Sequence, residues 1–220
     1  MNTPLLGQLG FFISLLAVAM SAFTLWWTSF RRGSIRMTQP SAIFFGPDEN
    51  GAPKVYLRSL LYSTSKRGQL IEHMYVTLRR GETRQAFNIW VYGERELARG
   101  SGLFIGDTGL TANHHFLLPK QESGFQFRSG EYALEVHARR VGDRSSNILA
   151  QAELDISDQD ASHILSGAGG VYFDWGPESG RYHSHLDTKG AVKKYSEAEL
   201  AAMMNVIANA FGKMAPDQTE

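Results

Sequence analysis

The feature that most constrains this chain is an uncharged N-terminal stretch. No charged side chain precedes Arg31, although the chain of 220 residues carries 22 Lys and Arg and 22 Asp and Glu. A helix needs roughly 20 predominantly apolar residues to cross a hydrocarbon core of about 30 Å. Residues 5–30 supply that length, so we predict a transmembrane helix there, preceded by a short tail at 1–4. The formal net charge of +0 therefore averages an uncharged span with a remainder that holds every charge.

The flanks of the predicted span indicate an orientation. Lys and Arg are absent before it and follow it directly, which by the positive-inside rule places the C-terminal domain in the cytoplasm and the N-terminus outside. A periplasmic or extracellular domain is the alternative, because the free α-amino group adds a competing charge. Indole rings and basic side chains favour the membrane interface. The predicted interface residues are Trp26, Trp27, Arg31, Arg32 and Arg36.

A cleaved signal peptide is a second interpretation of the same stretch. Such a peptide has a basic start and an apolar core of about 7–15 residues. Here Met-Asn-Thr opens the chain without a charged side chain, and the apolar run is longer. The sequence therefore favours a retained anchor in a cell membrane.

Composition and missing motifs exclude several classes of function. The chain has 0 cysteines, which excludes a disulfide scaffold, a thiolate zinc site and a cysteine nucleophile. Balanced charge argues against nucleic-acid binding through bulk positive charge. The sequence also lacks a phosphate-binding GxxxxGK[ST] loop, a GxSxG elbow and an HExxH zinc motif. It therefore favours a non-enzymatic protein without a cofactor, and a divalent metal is the alternative.

After the anchor the apolar pattern has a period of two residues. This pattern is typical of antiparallel strands packed on one side, and clusters of Gly, Pro, Asp and Ser separate the runs. Further strand candidates lie at 35–37, 42–45, 54–62, 102–105 and 113–118. The apolar faces of the longer candidates comprise Leu70, Glu72, Met74, Val76 and Leu78; Phe87, Ile89 and Val91; Tyr132, Leu134, Val136 and Ala138; and Ile148, Ala150, Ala152, Leu154 and Ile156. The sequence therefore predicts a mainly β chain with an antiparallel β-sandwich at 31–156.

The segment Ser129-Gly130-Glu131-Tyr132 favours one kind of sandwich. It places a tyrosine at the start of a strand after a tight turn. This arrangement resembles the tyrosine corner of immunoglobulin-like domains, in which the phenol bonds back to upstream backbone. The Cys-Trp-Cys pattern of antibody domains is absent. The resemblance implies an Ig-like topology and no particular function, because this fold hosts many functions.

The segment at 157–195 is predicted to be an appendage of the sandwich. We predict one or two helical turns at 158–165, followed by a flexible glycine-rich break. Strands at 171–175 and 181–186 then form a hairpin across a turn that contains Gly, Pro and Ser.

The C-terminal segment carries the clearest helical pattern outside the anchor. Ser196 with Glu199 three residues later forms a capping box, which predicts an amphipathic helix at 196–214 before a disordered tail at 215–220. Its Met-rich face either packs on the sandwich or binds a protein partner. That face comprises Leu200, Met203, Met204, Ile207, Phe211 and Met214.

Histidines supply the best candidate chemistry. His183 and His185 are separated by one residue on a predicted strand, so both rings point to one face. Three residues that lie near in sequence are candidates for a third ligand: Asp174, His163 and Asp187. Two imidazoles with a carboxylate suit a divalent metal such as zinc. The alternative is an exposed strand face whose histidines bind no metal.

A second pair, His114 and His115, lies on another predicted strand. Adjacent residues of a strand point to opposite faces, so the two rings cannot share one site. We interpret them as satisfied polar positions at a sheet edge.

Three functions follow from these patterns. The first is a single-pass, membrane-anchored, non-enzymatic interaction or scaffolding module at the inner face of the membrane, with a protein partner. The second is a membrane-tethered metal-binding protein or metal-dependent hydrolase that uses the His-x-His pair. The third is a small-ligand-binding domain in which Tyr172, Trp175 and Tyr182 stack on a ligand between sandwich and hairpin.

Overall fold

The N-terminal helix is long, apolar and exposed. The computed structural model describes residues 3–30, 33–93, 98–100, 102–119, 122 and 124–187. Helix α1 spans Thr3–Leu25 and continues into a π-helical turn at Trp26–Phe30. Its large apolar side chains are between 50% and 66% exposed. Across the described residues this is one helix able to cross a bilayer by length and composition, a property that signal sequences share.

The rest of the described chain is mainly β structure. The strands are β1 (Ile35–Met37), β2 (Ala42–Pro47), β3 (Pro53–Ser63), β4 (Gln69–Arg80), β5 (Thr83–Phe87), β6 (Ile89–Tyr92), β7 (Ala98–Arg99), β8 (Leu103–Ile105), β9 (Leu110–Leu117), β10 (Gly130–Arg140), β11 (Asn147–Ile156), β12 (Gly170–Gly176) and β13 (Arg181–Asp187). Helix α2 (Asp158–Leu165) lies between β11 and β12. The predicted mainly β fold with an N-terminal apolar helix is confirmed.

The strands form two antiparallel sheets. Within the described residues the larger sheet runs β13-β12-β2-β3-β9-β6-β7, and β1 pairs with the end of β3 beside β2. The smaller sheet runs β11-β10-β4-β5, and β8 pairs with the start of β4. The predicted helix at 196–214, the tail at 215–220 and the appended segment after 187 lie outside the described residues.

One apolar core fills the space between the inner faces of the sheets. Burial of this apolar surface is the main favourable contribution to folding. The largest fully buried side chains come from both sheets and the loop before β10; they are Phe45, Phe87, Phe116, Phe127, Phe173, Ile43, Leu57, Leu61, Ile71, Met74, Leu78 and Ile105.

Two β-bulges bring predicted inward residues to the surface. The ladder between β10 and β4 skips Glu72, and the ladder between β10 and β11 skips Leu149. One inserted residue exchanges the two faces of the strand beyond it. Ile71 is therefore buried, whereas Leu70 is 43% and Ile148 is 49% exposed. The predicted inward positions of Leu70, Glu72 and Ile148 are wrong for this reason.

The chain changes sheets between β5 and β6. Asn88 separates the two strands, which belong to the smaller and the larger sheet respectively. Phe87 enters the core from one sheet and Trp90 enters it from the other. The prediction of a single strand with Phe87, Ile89 and Val91 on one face is wrong, because the inward side changes at the crossing.

The tyrosine at the start of β10 closes the loop before it. The Tyr132 hydroxyl donates to the Arg128 carbonyl oxygen at 2.9 Å and accepts from the Arg128 N–H at 3.0 Å. Its ring is 3% exposed and lies 5.9 Å from the ring of Phe45. The predicted bond from the phenol to upstream backbone is confirmed.

We expect Tyr132→Phe to lower the free energy of unfolding by about 1 kcal/mol, because the substitution leaves the Arg128 backbone without its hydroxyl partner. Chemical denaturation of the full chain in detergent micelles, followed by circular dichroism, measures this change. Tyr62→Phe is the matched control, since Tyr62 is 36% exposed. Equal losses for the two variants would contradict a role of the hydroxyl.

Candidate functional site

The hairpin of β12 and β13 extends the larger sheet beyond β2. Gly180, with a φ of 64°, closes its turn and donates its N–H to the Gly176 carbonyl oxygen at 2.8 Å. The strands then pair from Gly176 opposite Arg181 to Gly170 opposite Asp187 without a register shift. The hairpin is therefore a regular pair of strands.

Two glycines let the hairpin join the sheet. The ring of Phe44 on β2 lies against the backbone of Gly46 and Gly170, and a Cβ at either glycine would overlap that ring. Overpacking of this kind costs typically about 1–3 kcal/mol. Close approach of β12 to β2 therefore depends on the absence of side chains at these two positions.

A row of aromatic rings crosses the outer face of the larger sheet. The register places His185, Tyr172, Phe44, Tyr56 and His115 opposite one another on β13, β12, β2, β3 and β9. His185 stacks on Tyr172 with ring centroids 5.5 Å apart, and Tyr172 lies 4.8 Å from Phe44. Tyr56 lies 4.9 Å from His115. We call this row the aromatic ladder; its cross-strand pairs hold the hairpin on the sheet.

The ladder is partly buried, apart from the exposed His185 at its end. The Lys54 ammonium lies 5.4 Å from the centroid of the Phe44 ring, and burial lowers the pKa of Lys54. Burial, with a smaller effect of Lys54, lowers the pKa of His115 to about 4. Burial, then the negative charge of Asp187, raises the pKa of Tyr172. His115 and Tyr172 are therefore neutral at neutral pH.

The predicted metal ligands lie on and beside the hairpin. His183 is opposite Asp174 on its neighbouring strand, and the nearer ring nitrogen of His185 is 3.4 Å from a carboxylate oxygen of Asp174. His183 and His185 share one face, as predicted. His163 on α2 instead contacts the backbone carbonyl oxygen of Asp187 at 3.2 Å.

The geometry around these histidines brings few metal-binding groups together. The ring of His183 lies 2.8 Å from the Ser179 hydroxyl, and that of His185 stacks on Tyr172. No group of three or more His, Asp or Glu side chains in the described ranges is arranged so that it could hold a metal ion. Metal binding by His183, His185, Asp174 and His163 stays a prediction.

A cleft of about 740 Å³ lies between the hairpin and the smaller sheet. The consecutive residues Arg181–Ser184 line it from β13, which places the cleft along the edge of that strand. The facing wall is contributed by β4, β10 and β11 and includes Arg79, Glu131, Glu153 and Asp155. The cleft therefore joins a strand edge to a wall that carries charges of both signs.

Of the three aromatic residues predicted to stack on a ligand, Tyr182 lines this cleft. Its hydroxyl donates to the Pro40 carbonyl oxygen at 2.8 Å, and burial raises the pKa of Tyr182 to about 12. Trp175 packs edge-on against Tyr182 at 5.1 Å, whereas Tyr172 belongs to the aromatic ladder. The three rings therefore do not converge on one ligand.

Two of the outermost strands, β13 and β11, differ in regularity and charge. Among the described residues β13 pairs with β12 alone. One outermost strand of the smaller sheet is β11, which contains the bulge at Leu149 and the exposed carboxylates Glu153 and Asp155. Bulges and charges discourage pairing of an edge with another strand. Of the two, β13 is the regular edge, and Arg181 is its one charged residue before Asp187.

His114 is a core residue, which corrects its interpretation as a sheet-edge position. Its strand, β9, lies between β3 and β6, and its ring is 0% exposed. The Trp90 indole N–H donates to Nδ1 of His114 at 3.2 Å, so Nε2 carries the proton of the neutral ring. Burial, with a smaller effect of His115, lowers the pKa of His114 to about 4.

The structure describes only some of the residues predicted to lie at the membrane interface or to bind a partner. Trp26 and Trp27 lie in the π-helical turn and are 52% and 50% exposed, and Arg36 is exposed on β1. Arg31 and Arg32 lie outside the described residues. So does the predicted partner-binding face of Leu200, Met203, Met204, Ile207, Phe211 and Met214.

Comparison with known proteins assigns no family. No protein-family model matches the chain, and no curated protein matches it. Among solved structures, the chain is similar to the CooA pilin subunit from enterotoxigenic Escherichia coli, with a TM-score of 0.32 and 7% sequence identity. The match covers 56% of this chain and 99% of that chain.

Acid should destabilise the core through His114. The pKa of this histidine in the folded protein is about 4, against an ordinary value of 6.5, so the unfolded chain binds the proton more readily. Stability is therefore complete above about pH 6.5 and is lost as the pH falls towards 4. We expect a contribution of about 2 kcal/mol to disappear between pH 7 and pH 5.

Denaturation of the full chain in micelles at pH 7 and pH 5 measures this loss. His114→Gln is the comparison variant, because its amide can accept the Trp90 hydrogen bond and does not titrate. The variant should lose less stability on acidification than the unchanged chain. An identical pH dependence for both proteins would contradict the assignment to His114.

Proposed function

We propose that this chain is a single-pass membrane-anchored β-sandwich protein that acts as a non-enzymatic protein-interaction module. The anchor is α1 with its π-helical turn, whose exposed apolar side chains suit a hydrocarbon environment. The interaction surface is the edge of β13, which pairs with β12 alone among the described residues, together with the adjoining cleft. The proposal rests on one observation, which is that the edge of β13 lies beside this cleft.

An Ig-like topology is part of the proposal. The order β2-β3-β9-β6 in one sheet and β11-β10-β4 in the other matches the ABED and GFC sheets of immunoglobulin domains. In this assignment Tyr132 lies at the start of strand F, the position of the tyrosine corner. The hairpin is then an addition that continues the larger sheet beyond strand A.

The β13 edge suits capture of an extended segment. A partner strand added to an open edge gains affinity from main-chain hydrogen bonds and specificity from recesses for its side chains. The aromatic ladder holds β13 in place before binding, which lowers the ordering cost of association. Small-ligand binding is the alternative, because about 740 Å³ falls within the usual size range of ligand sites.

Charge in the cleft favours a polar partner segment. Arg79 and Arg181 contribute positive charges to the lining, and Glu131, Glu153 and Asp155 contribute negative charges. Mixed charges of this kind fix register and exclude wrong partners more than they add affinity. We therefore propose an extended protein segment that carries side chains of both signs.

Site-specific photocrosslinking in intact membranes tests this surface. A photoreactive phenylalanine analogue in place of Ser184, which is exposed in the cleft, should give a discrete protein adduct. The same analogue in place of Asn50, exposed in the turn between β2 and β3, is the control. The proposal fails if position 184 gives no protein adduct, or only the adducts that position 50 gives.

Deletion of residues 195–220 separates the edge from the predicted C-terminal helix. If β13 captures the partner, the adduct from position 184 persists in the shortened chain. Loss of that adduct, with folding of the remaining protein unchanged by circular dichroism, would transfer the partner site to the Met-rich face.

We further propose that the β domain lies in the cytoplasm. Arg31, Arg32 and Arg36 follow the span and no Lys or Arg precedes it, which supports this orientation. Two reporters are fused after Glu220 in separate experiments, one active only in a reducing compartment and one active only in an oxidising compartment. We expect activity from the first. Activity restricted to a reporter that requires an oxidising compartment would contradict the orientation and leave the partner surface unaffected.

A further inference from the structure

One end of the sandwich is tied closely to the anchor. Two residues separate Phe30, the last residue of the π-helical turn, from Gly33. Three Cα–Cα steps of 3.8 Å span at most about 11 Å. The Gly33 carbonyl oxygen accepts a hydrogen bond from the Arg140 guanidinium at 3.2 Å, and the Ser34 carbonyl oxygen accepts from the Thr64 N–H at 2.9 Å. With α1 in the bilayer as proposed, the end of the sandwich that contains these contacts lies beside the membrane surface.

That same end carries an exposed apolar row. Leu70 on β4 is directly opposite Phe104 on β8, and its carbonyl oxygen accepts from the Val141 N–H at 3.0 Å. The three side chains are 43%, 63% and 58% exposed. The bulge at Glu72 places Leu70 on the outside. We call Leu70, Phe104 and Val141 the apolar row.

Basic side chains flank the apolar row. The Phe104 ring lies against Gly68, in the turn that also exposes Lys66 and Arg67, and Arg144 is exposed just after Val141. Two acidic residues described at this end are paired: Asp143 binds Arg140 at 2.7 Å and Glu72 binds Arg139 at 2.8 Å. Asp107 is the exposed carboxylate of the neighbouring turn.

We infer that the apolar row, with Lys66 and Arg67, rests on the anionic headgroup layer of the membrane that holds the anchor. Apolar side chains enter the headgroup boundary, and basic side chains beside them are attracted to anionic lipids. The contact restrains the orientation of the whole sandwich, whose β3 strand extends roughly 33 Å from Ser63 at this end to Pro53 at the other. This inference rests on the proposed anchor and adds a second membrane contact to it.

The natural absence of cysteine allows a depth measurement with a single label. The full chain carrying Ser145→Cys, in the turn after Val141, is labelled with an environment-sensitive fluorophore and reconstituted in phosphatidylcholine vesicles that contain phosphatidylglycerol. Spin-labelled lipids then quench a label that lies at the membrane surface. Asn50→Cys, at the opposite end of β3, is the control site.

We expect lipid quenching of the label at 145 to exceed that at 50 by at least about twofold. Combined Leu70→Glu and Phe104→Glu substitutions should reduce it towards the control value, since carboxylates avoid the anionic surface. Leu165→Glu replaces a residue of 52% exposure on α2 and should leave the quenching unchanged. Lys66→Glu with Arg67→Glu should reduce it in vesicles with phosphatidylglycerol.

Several outcomes would overturn the inference. Quenching that the apolar-row substitutions do not change would mean that the tether alone holds the label near the bilayer. Quenching unaffected by the charge reversals would remove the anionic-lipid contact. A label shielded from aqueous iodide but not quenched by lipid would mean that a protein covers the row. Flotation with the vesicles is measured in parallel and tests the anchor itself. A chain that does not float with the vesicles contradicts the proposed anchor and function, whereas a chain that floats but fails the quenching test contradicts this inference alone.

Discussion

The aromatic cluster around Phe45 is the contact on which both the sandwich and its hairpin depend. The ring of Phe45 on β2 is fully buried and stacks on Phe127 at 5.0 Å. It also meets Phe173 of the hairpin at 5.2 Å and Tyr132 of the smaller sheet at 5.9 Å. Aromatic pairs add about 0.5–1.5 kcal/mol each beyond the area that they bury. One side chain thus connects both sheets, the loop before β10 and the hairpin that borders the cleft.

Local pattern was sufficient to predict most strands, because each strand alternates in polarity and ends in turn residues. The hydrogen bond of Tyr132 was predictable for the same reason, since its partner Arg128 lies four residues away. Bulges were not predictable, because an extra residue in a strand is defined by the register with its neighbour. Leu70 and Ile148 were placed on the wrong face by an alternation that the bulges interrupt.

The candidate site depends on contacts between distant parts of the chain, and such contacts cannot be predicted from the local sequence pattern. The shared face of His183 and His185 follows from strand alternation alone. Pairing of β12 with β2, by contrast, joins segments more than a hundred residues apart, and it creates both the aromatic ladder and the cleft. Burial of His114 likewise depends on Trp90, whose indole is brought over it by the pairing of β6 with β9.

The regular edge of β13 has a consequence for the density of this protein in a membrane. Among the described residues β13 pairs with β12 alone, and an edge of this kind can accept an extended strand, including the β13 strand of another copy. In the proposed membrane-anchored state all copies share one plane, so their encounters become more frequent as the membrane fills. Pairing between copies then competes with capture of the proposed partner. Crowding of the protein would turn the proposed recognition edge into a site of self-association.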